Sequence, residues 1–471
     1  MNKLWLLFPC LDMFYISLQT HAKTSAFNDD AEKKRQKNID PPKPSHKAML
    51  RLTSFSPIIS LSLLGILLLL SACSLNEINS QLKIVDSAKE ITGNIKISYP
   101  TSGSVVVLLF ENKGEDSVTL VDQFTLTGKG KYTFYTTPGN FLIAAYIDSN
   151  DDGTYQESEH STFSGIEDGK PLFFTIGNVK RYQAGTLIFK ENVRAGGAYK
   201  GSIDLGKMNE NIGKKVSIND PMFSEEYASM SLWRPLDFIA DIGGGLFILD
   251  EYQEGKIPVL FIHGVKGSPN NWVNVIKNID DNRFQPFVLH YASGARLDMI
   301  SNYLVKAINN LYGKYHFKEF YVVAHSMGGL VARSFIMKHY QSQHPSKIKL
   351  FITINSPMLG LDIANAGLKF SPVLVPSWRD VASNSRFIQT INEWQWPDNI
   401  PYHLIFSYVS GKGDDGVVPL ESQIPPKLQS ESRRIYGFNA SHAGLLKQKK
   451  CTSLLNNVLN KSFDCKGLKS E

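Results

Sequence analysis

The sequence predicts an α/β fold with a mostly parallel, doubly wound sheet, preceded by a small all-β sandwich. Three observations predict it. Short apolar runs alternate with amphipathic helical stretches through the second half of the chain. One such run, at residues 320–333, reads as a buried strand, a tight turn and a helix. Between residues 91 and 193, by contrast, short apolar runs recur with turn residues between them and no helical period.

The chain divides in order. Residues 57–70 are apolar and of signal-peptide length, short for a membrane span. They lead into Leu70-Ser-Ala-Cys73-Ser74, which matches a bacterial lipobox. Cleavage there makes Cys73 a lipidated first residue, and Ser74 rather than Asp resembles the outer-membrane sorting choice. The expectation is a bacterial cell-envelope protein, anchored through lipid on Cys73 to the outer membrane. Residues 1–72 are then leader and 73–90 the lipidated cysteine and its tether. Residues 1–48 do not fit a compact signal, whereas Met49-Leu-Arg51 would start one. Either translation begins at Met49, or residues 1–48 are a genuine extension with a second apolar segment at 4–18.

Residues 91–193 form the expected sandwich. Strands are predicted at 104–110, 132–136, 141–147, 172–175 and 185–189, separated by Gly128-Lys-Gly130, Pro138-Gly-Asn140 and Asp151-Asp-Gly153. The run is similar to prealbumin-like and carboxypeptidase-regulatory-like modules and carries no nucleophile constellation. Asp148-x-Asn150-x-Asp152-Gly153 with Glu159 has the spacing of a calcium loop. A strand rather than a helix precedes it, so a solvated acidic hairpin is the expected structure and no metal site is assigned. Residues 194–225 read as a Gly/Lys/Asn-rich linker.

In residues 226–471 strands are predicted near 246–249, 258–262, 287–290, 320–323, 350–354, 403–406 and 434–437. Leu297, Ile300, Leu304, Ile308 and Leu311 make one face of a helix over 296–311, and 328–340 repeats the pattern. Residues 361–399 exceed an ordinary connection and contain Trp378, Trp394 and Trp396. They form either a lid or acyl-binding wall, or a plain crossover with exposed aromatics. Cys451 and Cys465 bracket a C-terminal helical segment and are a possible disulfide in an oxidising compartment.

Within Phe320-Tyr-Val-Val-Ala-His-Ser-Met-Gly-Gly-Leu-Val-Ala-Arg333, Ser326 sits at the turn between Ala324 and Gly328. A serine there, flanked only by small residues, is built as a nucleophile elbow. The required partners follow in chain order, an acid and then a histidine. Of eleven histidines only His442 lies beyond Asp415. It falls on a loop after the last predicted strand. Asp415 follows the preceding strand in Gly411-Lys-Gly-Asp-Asp-Gly-Val-Val, with Asp414 as the fallback. A tetrahedral acyl intermediate also needs two fixed N–H donors. Met327 opens the helix after Ser326, and Val265 follows the strand-end His263-Gly264, so their N–H groups are the candidates. His263 is expected to orient that loop, and His325 to point away from Ser326.

These residues resemble the serine lipase and esterase branch of the α/β-hydrolase superfamily. Ala324-His-Ser-Met-Gly328 is similar to the elbow of Bacillus-type lipases. His263-Gly-Val with Gly267-Ser-Pro-Asn-Asn-Trp272, and Thr353-Ile-Asn-Ser-Pro-Met-Leu-Gly360, are similar to lipases and to deacylases of GPI-anchored proteins. The resemblance covers roughly residues 237–446. It implies Ser326 as nucleophile, His442 as base, Asp415 as orienting acid, Val265 and Met327 as oxyanion donors, an ester or lipid substrate, and no cofactor.

Composition agrees. The chain is 42% hydrophobic with a formal charge of +6. Residues 1–72 hold nine of the 50 Lys/Arg and five of the 44 Asp/Glu, so the remainder is nearly neutral, at about +2. Nothing in this charge pattern calls for nucleic acid, and no oligomeric state follows from it. Two classes of function remain: a serine hydrolase of carboxylic esters (with thioesterase or acyltransferase chemistry on the same residues), and an inactive surface lipoprotein that binds.

Overall fold

The computed structural model describes residues 75–112, 118–167, 170–190, 210–371 and 373–464. The leader, Cys73, residues 194–209 and Cys465 lie outside them.

The first layered unit contains β1 (Lys89–Ile97), β2 (Ser104–Asn112), β3 (Val118–Leu126), β4 (Gly130–Thr136), β5 (Gly139–Asp148), β6 (Ser161–Phe163), β7 (Phe174–Ile176) and β8 (Arg181–Phe189). One sheet runs β8-β1-β4, with β1 parallel to β8 and antiparallel to β4. The other runs β3-β2-β5-β6, with β7 beside β5, all antiparallel. Ile91, Ile95, Phe134 and Leu187 of the first sheet pack on Val105, Val107, Leu109, Phe124 and Ile143 of the second. Val106, Leu108 and Phe110 point the other way, into a separate apolar cluster with Leu120, Leu142 and Tyr146. Strand β2 is apolar on both faces, which is why it reads as an unbroken run.

Two expectations shift here. The strand foreseen at 172–175 forms at Phe174–Ile176, leaving Leu172 and Phe173 exposed. The tether foreseen over 73–90 is packed in its last part: Leu82 and Val85 are buried, Asp86 pairs with Arg296 and Arg379, and β1 begins at Lys89. The 148–159 hairpin turns its carboxylates onto its own backbone. Asp148 accepts from the Asp152 and Gly153 N–H groups, and Glu159 from Ser149 and Gln156. Among the described residues no group of three or more His, Cys, Asp or Glu is placed to hold a metal.

The second layered unit is built on β9 (Gly245–Ile248), β10 (Ile257–Ile262), β11 (Phe284–His290), β12 (Glu319–His325), β13 (Lys347–Ile354), β14 (Tyr402–Tyr408) and β15 (Arg434–Asn439). Their order is β9-β11-β10-β12-β13-β14-β15, parallel throughout except the edge strand β9. Strand alternation sorts side chains to two cores. Leu260, Ile262, Phe287, Val322 and Phe351 pack under Leu297, Ile300, Leu304, Ile308 and Leu311 of α1 (Leu297–Tyr315) and Leu330, Val331 and Phe335 of α2 (Met327–Gln341). Val259, Phe261, Val288, Val323 and Ile352 face Trp272 and Cys451, Leu455 and Leu459 of α3 (Lys449–Asp464). Helices therefore cover both faces, as a doubly wound sheet requires.

The expected linker is corrected at its end. Val216 and Phe223 are buried in the second core, and the backbone of 213–216 bonds the edge strand at Leu246 and Ile248, so residues 210–225 pack onto the sheet rather than link to it. Cys451 is a buried free thiol, pushed up to about 12 by burial. The three tryptophans of 361–399 are also packed, Trp378 edge-on to Trp233. Trp396 stacks on Phe351 and packs at a tilt against Tyr402, while the Arg333 guanidinium lies over the rings of Trp394 and Trp396. Asp380, nearly inaccessible, binds Arg296 and the Leu297 N–H. Among the described side chains of this region the exposed large hydrophobics are Ile363 and Leu374.

The sandwich rests on α1. Lys306 pairs with Asp122 of β3, Asn309 Nδ2 donates to Thr125 O at 2.8 Å, and Tyr135 Oη donates to Asp298 at 3.2 Å. These contacts account for polar residues on the helix face that points away from the sheet.

Candidate active site

Strand order reverses between β10 and β12, since the chain leaves β10 for β11 on one side and later adds β13 on the other. The loops at the carboxyl ends of these two strands therefore part, leaving the crevice where α/β sheets bind ligands. Gly264-Val265 leaves one of them and Ser326 the other.

Ser326 follows β12 and caps α2 with φ 55° and ψ −134°. A non-glycine residue in that region carries about 1–3 kcal/mol of strain. It persists because both sides are held: Ser326 N–H bonds Ile354 O at 2.9 Å, and its carbonyl accepts from Gly329. The small neighbours are needed. A Cβ on Gly328 would stand 2.4 Å from His263 O, and one on Gly329 2.1 Å from Ser356 Oγ.

The acid and the histidine arrive from β14 and β15. His442 Nε2 lies 2.9 Å from Ser326 Oγ, and its Nδ1 lies 2.7 Å from Asp415 Oδ2. With the carboxylate as acceptor, Nδ1 carries the proton and Nε2 is free to accept from the serine hydroxyl. Asp415 is inaccessible and oriented by its own turn, its Oδ1 accepting from the Val417 and Val418 N–H groups at 3.0 and 2.7 Å. The His442 N–H bonds Asp415 O at 2.9 Å. Asp414 instead closes a turn onto the Gly416 N–H, so the fallback acid does not face the imidazole.

Residues 270–462 match the family described as an alpha/beta hydrolase of unknown function. This part of the chain has the α/β-hydrolase fold. Solved structures similar to it include the mature form of Bacillus licheniformis lipase BlEst2, at 17% identity over 45% of this chain and 97% of that one, with a TM-score of 0.36. Aspergillus fumigatus lipase B is 18% identical over 44% of this chain and 53% of its own, with a TM-score of 0.36. Est1E from Butyrivibrio proteoclasticus is 16% identical over 45% and 90%, with a TM-score of 0.35. The chain matches no curated protein.

In this fold the two candidate oxyanion donors flank Ser326. Met327 N–H is one of the unpaired donors that open a helix. Val265 shares a peptide unit with Gly264 O, and that oxygen accepts from His263 Nδ1 at 2.8 Å and from Gly267 N–H at 3.2 Å. Because a peptide is planar, holding its carbonyl also aims the Val265 N–H. His263 in turn is stacked on Tyr291 at 4.3 Å, and Tyr291 Oη donates to His263 O at 2.7 Å. Burial pushes His263 down to about 4, so the ring stays neutral and keeps one defined donor. It thus sits behind the Gly264-Val265 loop and bonds its carbonyl.

His325 is buried beside Ser326 but turned from it, with Nε2 3.2 Å from His442 O. Burial pushes it down to about 3. Two contributors escaped sequence reasoning. Tyr291 looks like any aromatic after a strand. Asn355, whose Nδ2 donates to His442 O at 2.9 Å, has φ 51°; an Asn before Ser-Pro at a strand end was the available hint.

Proposed function

We propose that this chain is a serine hydrolase of carboxylic esters, acting on lipid acyl esters through an acyl-serine. The reading is carried by one observation, the unbroken hydrogen-bond chain from Ser326 Oγ through His442 to Asp415. His442 Nε2 takes the hydroxyl proton as Oγ attacks the ester carbonyl carbon. The carbonyl oxygen becomes an oxyanion facing the Val265 and Met327 N–H groups. Asp415 balances the imidazolium, which then protonates the departing alkoxide. Water repeats the cycle on the acyl-serine, His442 taking its proton and returning it to Ser326. Such a relay needs no metal or organic cofactor.

The test is fluorophosphonate labelling of a protein starting after Cys73, compared with Ser326→Ala, followed by hydrolysis of nitrophenyl esters of short and long chains. Labelling that disappears in the variant supports the reading, and turnover there falls by about 10⁶. A folded wild-type protein that neither labels nor hydrolyses removes it and leaves the binding-lipoprotein reading. Preference for long acyl chains supports a lipid ester; preference for short ones limits the claim to an esterase.

We also propose that Cys73 anchors the protein to a bacterial envelope membrane. The support is the lipobox-like run before it. Membrane fractionation of full-length protein and of Cys73→Ala tests this, with release of the variant expected and equal partition of both overturning it.

A further inference from the structure

The residue that carries the base stands on the least protected of the site's supports. His442 follows β15, an edge strand whose side chains are largely exposed, on a loop anchored on either side by buried Ala440 and Leu445 rather than at the histidine itself. Left to that strand, the imidazole would wander relative to Ser326. Yet its main chain is bonded at both polar groups. The N–H is held by Asp415 O, and the carbonyl accepts two donors, Asn355 Nδ2 at 2.9 Å and His325 Nε2 at 3.2 Å.

Both donors come from the strand pair that builds the elbow. His325 is the last residue of β12, immediately before Ser326. Asn355 is the first residue after β13, whose Ile354 O accepts the Ser326 N–H. Asn355 is fully buried and fixed by its own backbone, its N–H bonded to Ile405 O and its φ at 51°. Its Oδ1 is buried with no partner among the described residues. A buried, unsatisfied acceptor is unfavourable, so the pose is explained by what Nδ2 does rather than by the amide's own satisfaction.

We infer that Asn355 and His325 are positioning residues, a two-donor clamp on the His442 carbonyl that refers the base to the same rigid frame as the nucleophile. The clamp rests on the reading of Ser326, His442 and Asp415 as catalytic. It touches no substrate; it acts through the imidazole.

The experiment compares Asn355→Gly, His325→Leu and His325→Gln in the full hydrolase and sandwich chain. Glycine keeps the left-handed backbone without strain and deletes only the donor. Leucine removes the histidine donor, whereas glutamine retains an N–H at similar reach. Three readouts are taken: kcat and KM per fluorophosphonate-titrated site, the urea midpoint, and the low-field proton resonance of His442 Nδ1–H against Asp415. Asn355→Gly and His325→Leu are expected to lower kcat by about tenfold to a hundredfold, with KM within about twofold. The resonance broadens in both, and His325→Gln recovers most of the loss. Unchanged kcat per titrated site with a sharp resonance, whether or not the urea midpoint falls, overturns the clamp and leaves these bonds as ordinary packing. A wild type without esterase activity but with a resonance that broadens in the two variants supports the clamp and defeats only the proposed reaction.

Discussion

Gly264 stands so close to Ser326 that a Cβ on it would lie 2.7 Å from the serine Cβ and 3.2 Å from Oγ. The glycine is therefore not a generic loop residue. It admits the Gly264-Val265 loop to Ser326, and no larger residue fits without moving one or the other. Gly264→Ala is expected to leave the fold intact and to lower kcat by about 10²-fold, the scale of an ångström of misplacement. Stopped-flow labelling by a fluorophosphonate checks it.

His263 and Tyr291 hold the Val265 peptide from behind. His263→Phe keeps a ring to stack on Tyr291 but removes the Nδ1 donor to Gly264 O. Loss of one well-aimed oxyanion donor lowers kcat by roughly 10²–10³, so His263→Phe should approach that range with KM little changed. Tyr291→Phe, which loses only the bond to His263 O, should do less. Steady-state kinetics of the two variants establishes the order.

Acid should destabilise this protein through its buried histidines. Burial pushes His263, His344 and His403 down to about 4, and His325 and His339 to about 3. In the unfolded chain they titrate near 6.5. Above that pH both states are neutral and their contribution is complete. As pH falls from about 6.5 toward 4 the unfolded state takes up protons that the folded state refuses, and stability is lost by about 1.4 kcal/mol per pH unit for each group. Urea midpoints between pH 7 and pH 4.5 should fall steeply, with proton uptake on unfolding near pH 5.

Lys306 and Asp122 join α1 to the sandwich, and the lysine is almost wholly buried. Removing Asp122 strands that charge, so Asp122→Ala should cost on the order of 3 kcal/mol. The double variant Asp122→Ala with Lys306→Met should recover much of the loss, because neither charge is then buried. Chemical denaturation of the three proteins measures the difference.

Much of this was legible from local pattern. The seven strands of the main sheet fall where apolar runs predicted them, because the inner strands are buried on both faces and their hydrophobicity is unmistakable, while the exposed edge strand β15 was marked only by its short apolar–basic run. Ser326, Asp415 and His442 could be named together because a nucleophile elbow fixes chain order and each follows a strand. Strand β3 was not foreseen, since half its residues are polar and face α1 or solvent. The packing of residues 210–225 was also missed, because Val216 and Phe223 are isolated apolar residues in a polar stretch.

The sequence by itself determined the alternating architecture and which residues could serve as nucleophile, acid and base, since periodicity and order along the chain are local properties. Only the tertiary structure decided that Gly264 abuts Ser326, that His263 and Tyr291 lock the Val265 peptide, and that Asn355 and His325 grip the His442 carbonyl. Those relationships join residues from different strand ends, and nothing along the chain encodes the distances between strand ends until the sheet has closed.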